Sequence, residues 1–199
     1  MVNKTPFILQ INEIVKTDYK NYQIEESTLI NSPLSYSEHS YDPDKWNKDD
    51  KIRETNNCYA YAMGKIVNGL ESKPQPGYAS GFKYSNTRNF ECSSYFDRLK
   101  KDNPGSYLSQ FDKSCIPGFY KVFLALDIGN DYHWWRQDSN QLWSHKPGST
   151  NVVNLDASGN LINNPLKSNR KFKTRNYYKP CFFACINSDL SRVLDEIYN

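Results

Sequence analysis

The chain has 199 residues and a formal charge of +3, which fits one domain with a core of its own. No run of about 18 apolar residues occurs, so no membrane-spanning helix is expected. The bases cluster locally at Lys167, Arg170, Lys171, Lys173 and Arg175. That run reads as a solvated loop, so nucleic acid is not an expected partner.

Residues 1 to 45 read as an N-terminal extension and residues 46 to 199 as the domain proper. Phe7 to Val15 is interrupted by Gln10, Asn12 and Glu13, which is no signal-peptide pattern. The expected location is therefore cytoplasmic or virion-associated. His39 lies in a polar, proline-marked stretch and reads as exposed and inert. Asp42-Pro43-Asp44 turns the chain into Trp46, a core or cleft-wall residue.

The next element is a helix. Tyr59, Ala62, Met63, Ile66, Val67 and Leu70 recur at helical period. Thr55, Asn56 or Asn57 can cap it, and Asn68-Gly69 can stop it. Cys58 falls in its first turn. A proline- and glycine-rich loop runs from Pro74 to Gly81, and a second helix from about Arg88 to Lys101 carries Cys92, Tyr95, Phe96 and Leu99 inward. Cys92 is then a core thiol. The period changes afterwards: strands are expected at Gly118 to Asp127, Asp131 to Gln137, Gln141 to His145 and Tyr177 to Ile186, with short candidates at Asn151 to Leu155 and Asn160 to Ile162. A helix on Leu190, Val193, Leu194 and Ile197 closes the chain. Helices followed by an antiparallel meander make an α+β class.

Five cysteines leave one unpaired in any disulfide framework. One reactive thiol among ordinary buried ones fits an intracellular chain. Cys181 and Cys185 would share a strand face about 13 Å apart, too far to bridge each other; core thiols are the leading reading, with redox pairing or metal binding behind it. Cys115 has no assigned role.

The chemistry concentrates on Cys58, His133 and His145. A thiol is a nucleophile only as its thiolate, and a helix start with a nearby imidazole favours that form. With the three-residue loop Asp138-Ser139-Asn140, His133 would stand opposite His145 on one face of a hairpin. A two-residue loop would send the rings to opposite faces. His133 would take and return the proton. His145 would orient it, with Asp156, Asn154 or Asp138 as alternatives. The Cys58 amide, with a side chain of Asn56 or Asn57 or a nearby tyrosine, would hold the oxyanion. No cofactor or metal is required by this set.

The order Cys58, His133, His145, with twelve residues between the histidines, resembles the NlpC/P60 branch of the papain-like cysteine peptidases. Asn57-Cys58-Tyr59-Ala60-Tyr61-Ala62, Tyr132-His133-Trp134 and Trp143-Ser144-His145-Lys146-Pro147-Gly148 are also similar to uncharacterised bacterial and viral proteins of that fold. The resemblance covers roughly Trp46 to Ile186. It implies a papain-like fold, with helices packed on a central antiparallel meander, and a cysteine peptidase or amidase acting on a peptide or other amide through an acyl-thioester. Tyr59 replaces the small residue usual after the cysteine, which does not favour a peptidoglycan peptide as substrate, and Trp134-Trp135 replaces the usual run after the histidine. The alternative is a non-catalytic binding or virion-associated structural protein that keeps the fold.

Overall fold

The computed structural model describes residues 19–68, 73–82, 90–190 and 193. The expected element at Phe7 to Val15, the start of the second helix around Arg88, and the expected helix after Leu190 (Val193 apart) lie outside the described residues.

The architecture is α+β. Among the described residues, four α-helices precede the sheet: α1 (Asp44–Asn47), α2 (Asp50–Thr55), α3 (Cys58–Ala62) and α4 (Cys92–Asp102). Five strands follow: β1 (Tyr107–Ser109), β2 (Phe119–Asp127), β3 (Asp131–Gln137), β4 (Trp143–His145) and β5 (Lys179–Asn187). They form one antiparallel sheet in the order β1-β5-β2-β3-β4. The meander is thus β2-β3-β4, and β5 returns to the far side of β2. The candidates at Val153, Leu155, Leu161 and Ile162 make only isolated bridges, to His145, Trp143 and one another.

Strand alternation builds a core on each face of the sheet. Val122, Leu124 and Leu126 of β2, Tyr132 and Trp134 of β3, and Phe182 and Ala184 of β5 pack under α3 and α4. Phe123, Ala125, Trp135 and Phe183 point the other way, onto Trp143, Ile162 and Tyr177. Helix α4 contributes Cys92, Tyr95, Phe96 and Leu99, all buried, at the spacing its sequence predicts. Trp46 is buried against Tyr61 and Val152.

The thiol-bearing helix is shorter than its apolar stripe implies. It ends at Ala62, because Gly64 adopts φ +66 and turns the chain. A Cβ on Gly64 would lie 2.5 Å from Nε2 of His39, whose ring also meets Tyr120 edge-on at 4.7 Å. His39 is therefore half-buried packing and not an exposed loop residue; burial, and then the Arg136 charge, lower its pKa to about 4. Residues 19–45 reach both ends of the sheet. The Tyr22 hydroxyl donates to Ser109 O (2.8 Å) and accepts from Phe183 N (3.1 Å), while the His39 carbonyl accepts from Ser139 N (2.9 Å).

Cys92, Cys181 and Cys185, expected as core thiols, and Cys115, given no role, are all oxidised. Cys92–Cys181 ties α4 to β5, and Cys115–Cys185 ties the segment after β1 to β5. The ladder between β2 and β5 shifts at Leu124/Ala125. This bulge places Cys181 beside Phe182 in the α4-side core, while Cys185 joins Tyr107 and Cys115. Each sulfur meets a distant partner, and Cys58 is the free cysteine.

Candidate active site

Cys58 is the first residue of α3. The Asn57 side chain caps this helix, its Oδ1 accepting from Ala60 N at 3.1 Å while its Nδ2 donates to Pro74 O at 2.6 Å. Asn56 clamps a second segment. Its Oδ1 accepts from Val67 N (2.8 Å), and its Nδ2 donates to Val67 O (2.9 Å) and Ile52 O (3.0 Å). Both amides expected to hold an oxyanion are thus committed to backbone partners. They shape the turn that presents the thiol.

The Cys58 side chain is 6% exposed and packs in the α3-side core. The backbone N–H groups of Trp134 and Tyr59 serve its sulfur. The sulfur therefore meets β3 at the peptide that follows His133. Burial, then the Asp131 charge, push the thiol up to about 12, with the two N–H groups and the Lys146 ammonium acting in the opposite direction.

The two histidines meet, but not in the expected register. Trp135, not His133, stands opposite His145, and Gln137 pairs with Trp143. The turn is Ser139-Asn140-Gln141, closed by Asp138 N donating to Leu142 O at 2.9 Å, with Gln141 left-handed at φ +69. This displaces the pairing by two residues, which keeps side-chain parity. His133 and His145 therefore share a face and lie diagonally, with His133 Nε2 2.8 Å from His145 Nδ1.

Their proton positions follow from the next partner. His145 Nε2 is 3.0 Å from Leu155 O. A carbonyl only accepts, so that nitrogen carries the proton. In a neutral ring Nδ1 of His145 is then an acceptor, and His133 Nε2 is the donor to it. Nδ1 of His133 is left as the unprotonated nitrogen. Both rings are neutral at pH 7: burial, then the neighbouring His145, hold His133 well below its usual range, and burial brings His145 to about 4.

An aromatic box fixes the base. Tyr177 stacks on His133 at 4.9 Å and 28°, and Trp135 meets it edge-on at 4.5 Å. The Tyr177 hydroxyl donates to Asp131 (3.1 Å), which also pairs with Arg175 (3.2 Å). The ring of His133 lies with the Trp135 face of the sheet, whereas Cys58 packs with the Trp134 face. What links them is Tyr177, which stacks on His133 and lies near enough to Cys58 to feel its charge.

None of the alternative orienting groups is at His133. Asp138 forms a buried ion pair with Arg136 at 2.8 Å and accepts from Ser144. Asp156 organises its own loop, accepting from Ser158, Asn160 and Asn169 backbone N–H groups. Asn154 contributes its carbonyl to Ile162 N. Three contributors escaped sequence reasoning. Lys146 lay in plain view beside His145, but its direction depends on where β4 ends. Tyr177 and Asp131 carry no local signal at all. Among the described residues, no group of three His, Cys, Asp or Glu could hold a metal ion, and no helix is long and apolar enough to cross a membrane.

The chain is 35% identical over 130 residues to insoluble matrix shell protein 1 of Ruditapes philippinarum, an alignment spanning 65% of this chain and 80% of that protein. It belongs to the family of that shell protein. No protein-family model matches the chain, and no solved structure matches it.

Proposed function

We propose that this member of the shell-protein family is a papain-like thiol hydrolase, close to the NlpC/P60 branch, that opens an amide bond through Cys58, His133 and His145. The observation that carries the reading is the polarity of the relay. Leu155 O, His145 and His133 are hydrogen-bonded in the one order that leaves a lone pair on His133 Nδ1, the nitrogen a general base needs.

The resting pair is a thiol and a neutral imidazole, so the proton moves as the sulfur attacks. The Cys58 proton passes to His133 Nδ1, sulfur bonds to the carbonyl carbon, and the amine leaves with that proton. Water, or a second amine, then cleaves the thioester and returns the proton to sulfur. His145 stabilises the imidazolium through its Nδ1 lone pair. The two disulfides favour an oxidising compartment over the cytoplasm or a virion interior.

The second reading is a non-catalytic matrix component. It draws on the name of the relative, on the disulfides and on the burial of the sulfur. Alkylation of Cys58 across pH, in wild type and His133→Ala, separates the two. A hydrolase gives a rate that depends on His133; a matrix component gives a slow thiol indifferent to it.

A further inference from the structure

Lys146 follows His145 at the end of β4 and is fully buried. Its ammonium shares its three N–H donors among four backbone carbonyls within hydrogen-bond distance: Arg53 O, Asn56 O (2.8 Å), Gly148 O (2.8 Å) and Thr150 O (2.9 Å). Among the described residues no carboxylate pairs with it. The charged groups that bear on it are two cations, Lys73 and Arg53, and one latent anion, Cys58. A buried ammonium without a counter-charge is costly. Here it is held at the turn that opens α3, since Asn56 lies two residues before the thiol.

We propose that Lys146 is a positioning residue for Cys58, a fixed buried cation that stabilises the sulfur anion as it forms. The proposal rests on the reading of Cys58 as the nucleophile. Alternation along the chain explains the division of labour. His145 projects to the Trp135 face and orients the base, while Lys146, the next residue, projects to the α3 face and serves the sulfur. The carbonyl cage keeps the ammonium from swinging out to water. Burial and the two neighbouring cations lower its pKa to about 8, so its help is present at neutral pH and fades in alkali. A purely structural staple would use the same four carbonyls but would leave the reactivity of the sulfur unchanged.

The experiment uses the full chain with its disulfides intact, where Cys58 is the free thiol. Iodoacetamide modification is followed by mass spectrometry from pH 5 to 10 in wild type, Lys146→Met, Lys146→Arg and His133→Ala. Loss of the cation is expected to slow modification at pH 7 by about tenfold, with Lys146→Arg keeping the wild-type rate at pH 7 and, because a guanidinium stays charged, exceeding it above pH 8. If His133→Ala slows the reaction but Lys146→Met matches wild type, the role assigned to Lys146 is wrong while the nucleophile stands. If neither changes a slow wild-type rate, the reading of Cys58 itself fails. Should Lys146→Met not fold, Cys58→Asp and Cys58→Asn are compared at pH 7 by urea unfolding, with Lys146 intact. The proposal expects the aspartate to be no less stable than the asparagine; an aspartate variant that unfolds at much lower urea overturns it.

Discussion

His133 and His145 lie on a diagonal of the β3–β4 ladder, with Nε2 and Nδ1 2.8 Å apart. On this diagonal the two rings meet edge to face at 85°. That geometry lets one nitrogen point at another, and the Leu155 carbonyl sets the direction of the proton.

Removing the far histidine therefore disturbs the near one. His145→Ala should slow Cys58 modification at pH 7 by roughly 10²-fold, the scale of a lost acid–base partner. His145→Asn, whose amide can still accept from His133, should retain more of the rate. Alkylation kinetics and the imidazole NMR signals of His133 check both.

Acid should unfold the protein through these rings. His145 titrates near 4 in the fold and near 6.5 when unfolded, so between those values the unfolded chain binds more protons. Stability is then fully present above about pH 6.5 and falls as pH drops toward 4. The loss is about 3 kcal/mol for His145 alone, at the usual 1.36 kcal/mol per pKa unit. His133, shifted the same way, adds to it. Urea denaturation at pH 7, 5.5 and 4.5 measures the slope.

The disulfides give a sharp count. Denatured, unreduced protein should present one titratable thiol, and reduced protein five. The bridges join residues 89 and 70 apart, so each should be worth about 4 kcal/mol by loop closure. The paired change Cys92→Ala with Cys181→Ala should lower the thermal midpoint by about 8–16 °C.

Gly64 should tolerate no side chain. Alanine there pays for a left-handed φ, about 1–2 kcal/mol, and meets the His39 ring at 2.5 Å. Gly64→Ala should cost about 3 kcal/mol in total. Trimming His39 to Ala in the same chain should return the steric part, and a double-mutant cycle by urea unfolding reads the coupling.

Arg136 and Asp138 form the buried ion pair behind α3, with the guanidinium also 4.2 Å over the Tyr61 ring. Arg136→Met strands the carboxylate and should cost about 3–5 kcal/mol. Adding Asp138→Asn should recover part of that loss in the same unfolding measurement.

Local pattern was enough for the α+β class, for the extent of β3 from Asp131 to Gln137, for the buried face of α4 and for the position of Cys58 at a helix start. These depend on periodicity and turn chemistry, which act within a few residues. The two-residue slip of the β3–β4 hairpin, the end of α3 at Gly64, the oxidation of Cys92, Cys115, Cys181 and Cys185, and the cage around Lys146 depend on residues far apart in the chain. His39 fills the space beside Gly64, a bulge in β5 turns Cys181 toward α4, and Arg53 and Thr150, far apart in the chain, reach the same ammonium. Such meetings are chosen by packing of the whole core, because each contact is favourable only once the others have formed. The thiol and the imidazoles were legible as residues; their faces, their proton order and the buried cation beside them were decided by the fold.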